Sequence, residues 1–407
     1  AFWSGLVTGA DGVSTIERFP VADLRVPRGG EIKKLRTPEG VRPDGCRATL
    51  LLAAAADDLL ARLLHGGPRN GPPYPPALDA PRPSRGAPRD LAAGGRPTGR
   101  PILMDVEPDR CAIVVGTALG GVEELERALA GDGRARRAGA ALYDGPAHAL
   151  ALRLDVRGPV LTVSTACASG ATAIGLGADL LRDRRADLVV AGGYDVLCRF
   201  VMRGFDVLRS LTRERVRPFD RRRSGLLLGE AAALVLLARE ADAPGPGLGR
   251  VLGHASTADG SHIAAPDPDG RGLEASARAA MRQADVDAGA IDFVSAHGTG
   301  TPLNDRIETD VIKRVLGARA TAIPVNSIKG GLGHTMGAAA TLEAIMCLLA
   351  SRHGLVPPTL GFEERDPACD LDYVPLAARP ARPRISLSTS AGFGGCNAAL
   401  VLEGRLG

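Results

Sequence analysis

Two stretches of this chain follow one plan, and that repetition constrains the fold more than any other feature. "PVLTVSTACASGATAIGLGADLL" (159–181) reads as an apolar strand, a tight loop and a helix of small residues. "AIPVNSIKGGLGHTMGAAATLEAIMCLL" (322–349) reads the same way. A duplicated half-domain brings two equivalent loops to one place. The first loop carries Cys167; the second carries Lys329 and His334.

The surrounding pattern is α/β. Apolar strands are expected at 111–117, 159–165, 186–193, 232–238, 292–296, 322–326, 385–389 and 398–402, with helices at 46–65, 167–182, 273–284 and 305–316. Strands alternating with helices argue for α/β layers. The 407 residues accommodate two ordinary domains or one large duplicated one. The division expected here is an N-terminal half over 1–245 with the cysteine and a C-terminal half over 246–407 with two histidines. Residues 66–101 are dense in Pro, Gly and Arg, a composition that does not pack a core and reads as a surface loop or insertion.

Composition narrows the function. Aromatic residues make up 3% of the chain and the net charge is +4, so the stacking platforms of a nucleic-acid binder are scarce. The mildly basic balance suits an acidic partner protein. There is no continuous apolar run long enough for a membrane span. No basic-then-apolar leader stands at the front, so no secretion signal is read and a cytoplasmic chain is expected. Seven cysteines without a CxxC pair read as reduced thiols, with neither a disulfide framework nor a zinc site.

Chemistry-bearing residues gather at strand ends. Cys167 follows a strand and opens a helix, where unpaired N–H groups and the helix dipole favour thiolate. Its small neighbours leave room for a substrate. "VSAHGTGTPLND" (294–305) sets His297 at the end of an apolar strand, before Thr299 and Thr301. "NSIKGGLGHTMGAAA" (326–340) sets Lys329 and His334 five residues apart in a glycine-rich loop, where a helix N-terminus keeps His334 neutral. "STSAGFGGCN" (388–397) is a third glycine loop, with Phe393 its only bulky residue. Each stretch taken singly also reads as an ordinary turn or a buried core residue.

Taken in order, "TACASG", "RPFDRRRSGLLLGEAAALVL" (217–236), "HGTGTPLND", "NSIKGGLGHTMGAA" and "GFGGCN" resemble the motifs of the β-ketoacyl-acyl-carrier-protein synthases of the thiolase-like superfamily. The resemblance runs from about Cys111 to Glu403. It implies a duplicated α/β fold layered αβαβα, with two mixed five-stranded sheets. It implies decarboxylative condensation of an acyl thioester with malonyl-acyl carrier protein, as in fatty acid, polyketide or polyene biosynthesis.

By the same resemblance, Cys167 is the acyl-accepting nucleophile and His297 and His334 act on the malonyl thioester. Lys329 supports them, with Glu308 as its ion-pair partner. Thr299 and Thr301 line the phosphopantetheine tunnel, Leu119 lies at the floor of the acyl pocket, Phe393 with Gly394 forms the gate, and the Phe393 N–H joins that of Cys167 in an oxyanion hole. No metal or redox cofactor is implied. The partners implied are acyl carrier protein and a second subunit, as a homodimer or as a heterodimer with a ketosynthase-like chain.

Two departures stand out. The chain opens at "AFWSGLVTGADGVSTIERF", which resembles the segment just after the family's first strand, and residues 66–101 are unlike the family's usual helix-to-strand passage. Three other readings remain: an inactive chain-length-factor-like subunit, a cysteine hydrolase using Cys167, one histidine and Asn397, and a thiolase.

Overall fold

The computed structural model describes residues 2–41, 45–64, 106–131, 138–243, 245 and 247–406. The expected surface loop at 66–101 lies outside them. Two sheets carry the fold. The first is built from β1 (Cys111–Gly116), β2 (Val160–Val163), β3 (Leu188–Asp195) and β4 (Ala231–Ala238), in the order β2-β1-β3-β4. The second is built from β5 (Gly249–Ala258), β6 (Phe293–Ser295), β7 (Val325–Asn326), β8 (Ile385–Gly392) and β9 (Cys396–Gly404), in the order β5-β9-β8-β6-β7.

The sheets repeat one topology. β1 runs parallel to both β2 and β3, and β3 is antiparallel to β4. In the second sheet β6 runs parallel to β7 and β8, and β8 is antiparallel to β9. The second sheet continues with β5 beside β9. Among the described residues the equivalent place beside β4 holds no strand, so the first sheet has four strands where five are expected.

Between the sheets lie two helices, α3 (Ser169–Arg182) and α7 (Ala339–His353), which are the small-residue helices of the repeated stretches. Their small side chains let two backbones and two sheets approach closely. A Cβ on Gly170 would stand 2.6 Å from Thr341 Oγ1 and 2.7 Å from the Gly337 carbonyl oxygen, so any larger residue there pushes the two halves apart. One buried cluster joins Ala112 and Val114 of β1, Ala171 and Ile174 of α3, Ala340 and Ala344 of α7, and Leu400 and Leu402 of β9. Burying one of its Val, Leu or Ile side chains contributes about 1.5–3 kcal/mol.

Outer helices complete the layers. On the far side of the first sheet, α1 (Arg47–Leu64) and the helix Gly145–Leu154 pack on Ile113, Val115, Leu188 and Val190. On the far side of the second, α5 (Arg271–Ala284) and α6 (Pro302–Leu316) cover Val294, Val325, Leu387 and Val401. Central strands covered on both faces read as continuous apolar runs, as "CAIVVG" does. Elements not apparent from the sequence include β5 and the helices Phe2–Thr8, Val122–Leu129, Gly145–Leu154 and Arg199–Val207.

Candidate active site

The end of β2 and the start of α3 form a tight elbow. Ala166 has φ +48°, a left-handed conformation that a residue with a Cβ adopts only when its surroundings hold it there. Ser169 does the holding: its Oγ accepts from Thr165 N–H at 2.9 Å and donates to the Ala166 carbonyl at 2.6 Å. Gly392, the last residue of β8, presses on the elbow, and a Cβ there would stand 3.0 Å from both Ala166 Cβ and Cys167 N. The second half thus meets the cysteine of the first.

Cys167 is buried, with 6% of its surface exposed, and lies just before the helix rather than within its first turn. Burial pushes its thiol up to about 12. The Lys329 ammonium and the Phe393 N–H, which points at the sulfur, pull the other way without offsetting burial, while Asp195 adds to the rise. This corrects the expectation of a resting thiolate: desolvation outweighs the helix terminus.

His297 stands near the start of the loop after β6, and His334 follows the short helix Lys329–Leu332. Their rings meet edge to face, centroids 5.2 Å apart. Both are held well below the ordinary histidine pKa by burial first and by Lys329 next, so both are neutral at pH 7. His334 Nδ1 accepts from the Met336 N–H at 3.3 Å, which places the ring proton on Nε2. That Nε2 and His297 Nδ1 are buried without a hydrogen-bond partner in the protein. A buried, unpaired donor is costly unless a ligand claims it.

The lysine's partner differs from expectation. Lys329 forms its ion pair with Glu343 of α7, and both are almost fully buried. Glu308 instead spends its carboxylate on the histidine loop, accepting from His297 N–H at 2.7 Å, Gly298 N–H at 2.8 Å and Thr389 Oγ1 at 2.8 Å. Burial raises Glu308 to about 7. Its role is to fix the backbone that carries His297. The one sequence signal for Glu343 is its place as a lone acid in the apolar run "AAATLEAIMCLL", which points to burial and not to a partner.

Phe393 stacks on Phe205, ring centroids 5.4 Å apart, above the cysteine. Gly394 and Gly395 adopt φ +79° and +72°, which turn the chain from β8 into β9. The Gly394 N–H donates to the Ile263 carbonyl at 2.8 Å, while the Phe393 N–H, one of the two expected oxyanion donors with that of Cys167, faces the sulfur. Asn397 donates to Asp259 at 2.7 Å and to the Gly395 carbonyl at 2.9 Å. Thr299 and Thr301 hydroxyls lie 2.9 Å apart, and the Gly300 N–H beside them bonds Asp305 at 3.1 Å. Leu119 is half-buried and packs against the apolar cluster that contains Leu197, Met202 and Met336. Among the described residues no group of acidic, cysteine or histidine side chains is arranged to hold a metal.

Solved structures share this architecture. The chain superposes on the ishigamide ketosynthase/chain length factor with a TM-score of 0.81 and 31% identity, covering 99% of this chain and 94% of that one. It also matches the ketosynthase ApeO in complex with its chain length factor ApeC from Xenorhabdus doucetiae, at TM-score 0.66 and 33% identity over 74% of this chain and 76% of that one. The fold is thus the duplicated, thiolase-like fold of the ketosynthases. Residues 102–243 match the β-ketoacyl synthase N-terminal domain and residues 248–363 its C-terminal domain. The tetracenomycin polyketide synthase ketoacyl synthase alpha subunit of Streptomyces glaucescens is 35% identical over 99% of this chain and 92% of its own length. Nodulation protein E of Rhizobium sp. (strain N33) is 38% identical over 72% of this chain and 75% of its own. The chain belongs to the β-ketoacyl synthase family, with polyketide ketosynthases among its relatives.

Proposed function

We propose that this chain catalyses decarboxylative Claisen condensation through an acyl-Cys167 intermediate. The observation that carries the reading is the pair of neutral, buried histidines, one with its Nε2 proton unclaimed, beside a lysine and behind a buried cysteine. The Cys167 thiol attacks an acyl thioester, and its proton leaves as the carbon–sulfur bond forms; neutral imidazoles are the bases at hand. The oxyanion is met by the backbone N–H groups of Phe393 and Cys167. The carrier thiol departs with a proton, leaving the acyl group on Cys167.

Malonyl thioester then loses carbon dioxide. The electron pair of the broken carbon–carbon bond passes into the thioester carbonyl, and histidine N–H donors stabilise the resulting enolate oxygen. Neutral rings donate without protonating a nascent carbanion. The enolate carbon attacks the acyl-Cys167 carbonyl, the Cys167 carbon–sulfur bond breaks, and the thiol regains a proton. This chemistry calls for no metal or redox cofactor.

Acyl carrier protein is the proposed source of both thioesters, and a second ketosynthase-like subunit the proposed companion. The pairing is supported by the edge strand β2, whose "VLTV" is nowhere fully covered, and by Leu129 and Phe200, 81% and 59% exposed beside one surface groove. The chain-length-factor reading leaves Cys167 and both histidines unused. In the hydrolase reading Asn397 would orient a histidine, but its amide is committed to Asp259 and Gly395. The test supplies acyl- and malonyl-carrier protein and follows β-ketoacyl product by mass spectrometry. A β-ketoacyl product two carbons longer than the primer supports the reading; release of free acid alone overturns it in favour of hydrolysis.

A further inference from the structure

Asp195 ends β3, 1% exposed, at the seam between the halves. Its Oδ1 accepts from Thr117 Oγ1 at 2.8 Å and from Leu119 N–H at 3.1 Å. Its Oδ2 accepts from Ala118 N–H at 2.9 Å and from Gly337 N–H at 2.6 Å. Thr117 Oγ1 passes the restraint on by accepting from Gly120 N–H at 2.8 Å. One carboxylate therefore gathers the whole turn that carries Leu119 and, across the seam, the turn that follows His334.

The second turn matters for the chemistry. Two successive amides point in set directions: Met336 N–H to His334 Nδ1 and Gly337 N–H to Asp195. Met336 is held at φ +51°, a conformation a methionine keeps only under restraint. There is no slack at the contact, since a Cβ on Gly337 would stand 2.7 Å from Asp195 Oδ2 and 2.7 Å from Thr117 Cα. Pinning Gly337 keeps the Met336 amide aimed at the imidazole, and that amide is what leaves the ring proton on Nε2.

We infer that Asp195 is a positioning residue that fixes His334 in its Nε2–H form and, through the same carboxylate, sets the turn bearing Leu119. This rests on the condensation proposed above. It ties the fit of the acyl chain at Leu119 to the aim of the enolate-stabilising donor. An acyl group that displaces the 117–120 turn pulls on Asp195, and Asp195 holds the histidine turn. An isosteric amide at this position has one accepting oxygen for four donors and turns an N–H₂ against the others.

The experiment uses the full chain, labelled with nitrogen-15 at histidine. In the wild type the His334 ring shows the Nε2–H pattern. Asp195→Asn is expected to mix the two tautomers and to slow carbon dioxide release from malonyl-carrier protein about a hundredfold, as a misaimed group does, a larger loss than in acylation of Cys167. Thr117→Val, which removes one donor on the Leu119 side, is expected to alter the acyl-length profile with the His334 tautomer intact. A pure Nε2–H tautomer in Asp195→Asn, or equal loss of both half-reactions, overturns the assignment. Because the tautomer is read without turnover, it decides the role of Asp195 even if the wild type releases no carbon dioxide, the result that counts against the proposed reaction.

Discussion

Lys329 is paired with Glu343, not with Glu308, and the pair is sealed between α7 and the histidine loop. The lysine's charge reaches Cys167, His297 and His334 alike. It adds to burial in holding the rings neutral and draws the thiol downward, so one ammonium acts on the groups proposed for both half-reactions.

Breaking this pair has two separable consequences. Lys329→Ala or Glu343→Ala strands a buried charge and is expected to cost about 3–5 kcal/mol of stability by urea unfolding. The double variant Lys329→Met/Glu343→Leu removes both charges and should recover most of that stability while carbon dioxide release stays low. Lys329→Arg should also fail, because a planar fork does not fit the place of a compact ammonium. A double variant that regains activity along with stability would show that the pair is only structural.

The raised thiol gives a pH dependence with a definite sign. A cysteine whose pKa stands near 12 is almost wholly thiol at neutral pH. Its alkylation by iodoacetamide, read at the Cys167 peptide, should rise about tenfold per unit from about pH 7 to about pH 10 without a plateau. Lys329→Ala removes a charge that lowers the pKa and should slow the reaction at every pH in that range. A plateau near neutral pH would place the resting state as thiolate.

Leu119 is expected to limit acyl length. It stands on a turn fixed by Asp195 and packs against the apolar cluster that contains Met202 and Met336. Leu119→Ala should lengthen the products and Leu119→Phe shorten them. The alanine variant should lose about 2 kcal/mol of stability, the low end for a leucine truncation, because the side chain is only half-buried. Identical product profiles would remove Leu119 from the pocket.

Much of this was legible in the sequence because the strongly periodic elements are also the ones packed between layers. Small residues in α3 and α7 announce the close approach at Gly170. β5 was hidden, since "GRVLGHASTA" mixes Gly, His, Ser and Thr without clean alternation. Which acid meets Lys329 was hidden too: Glu308 and Glu343 both sit on helices near the site, and only the second half's packing separates them. Nor does sequence weigh the desolvation of Cys167 against a helix terminus. Burial is a tertiary quantity, and it reversed the expected protonation.

The two half-reactions should come apart by mutation. Cys167 sits on the elbow after β2, while His297 and His334 sit on loops of the second half, so each group can be removed without touching the other's backbone. Cys167→Ala should abolish the acyl adduct and condensation, yet retain release of labelled carbon dioxide from malonyl-carrier protein. His297→Ala and His334→Ala should still acquire the adduct by mass spectrometry, while carbon dioxide release falls by about 10²–10³-fold, the usual cost of losing one preorganised donor. His334→Ala should be the more damaging, because its Nε2 proton is already fixed by Met336. The variants must be folded, which near-ultraviolet circular dichroism checks. Condensation by Cys167→Ala would sink the nucleophile assignment, and wild-type carbon dioxide release by both histidine variants would return the site to a hydrolase.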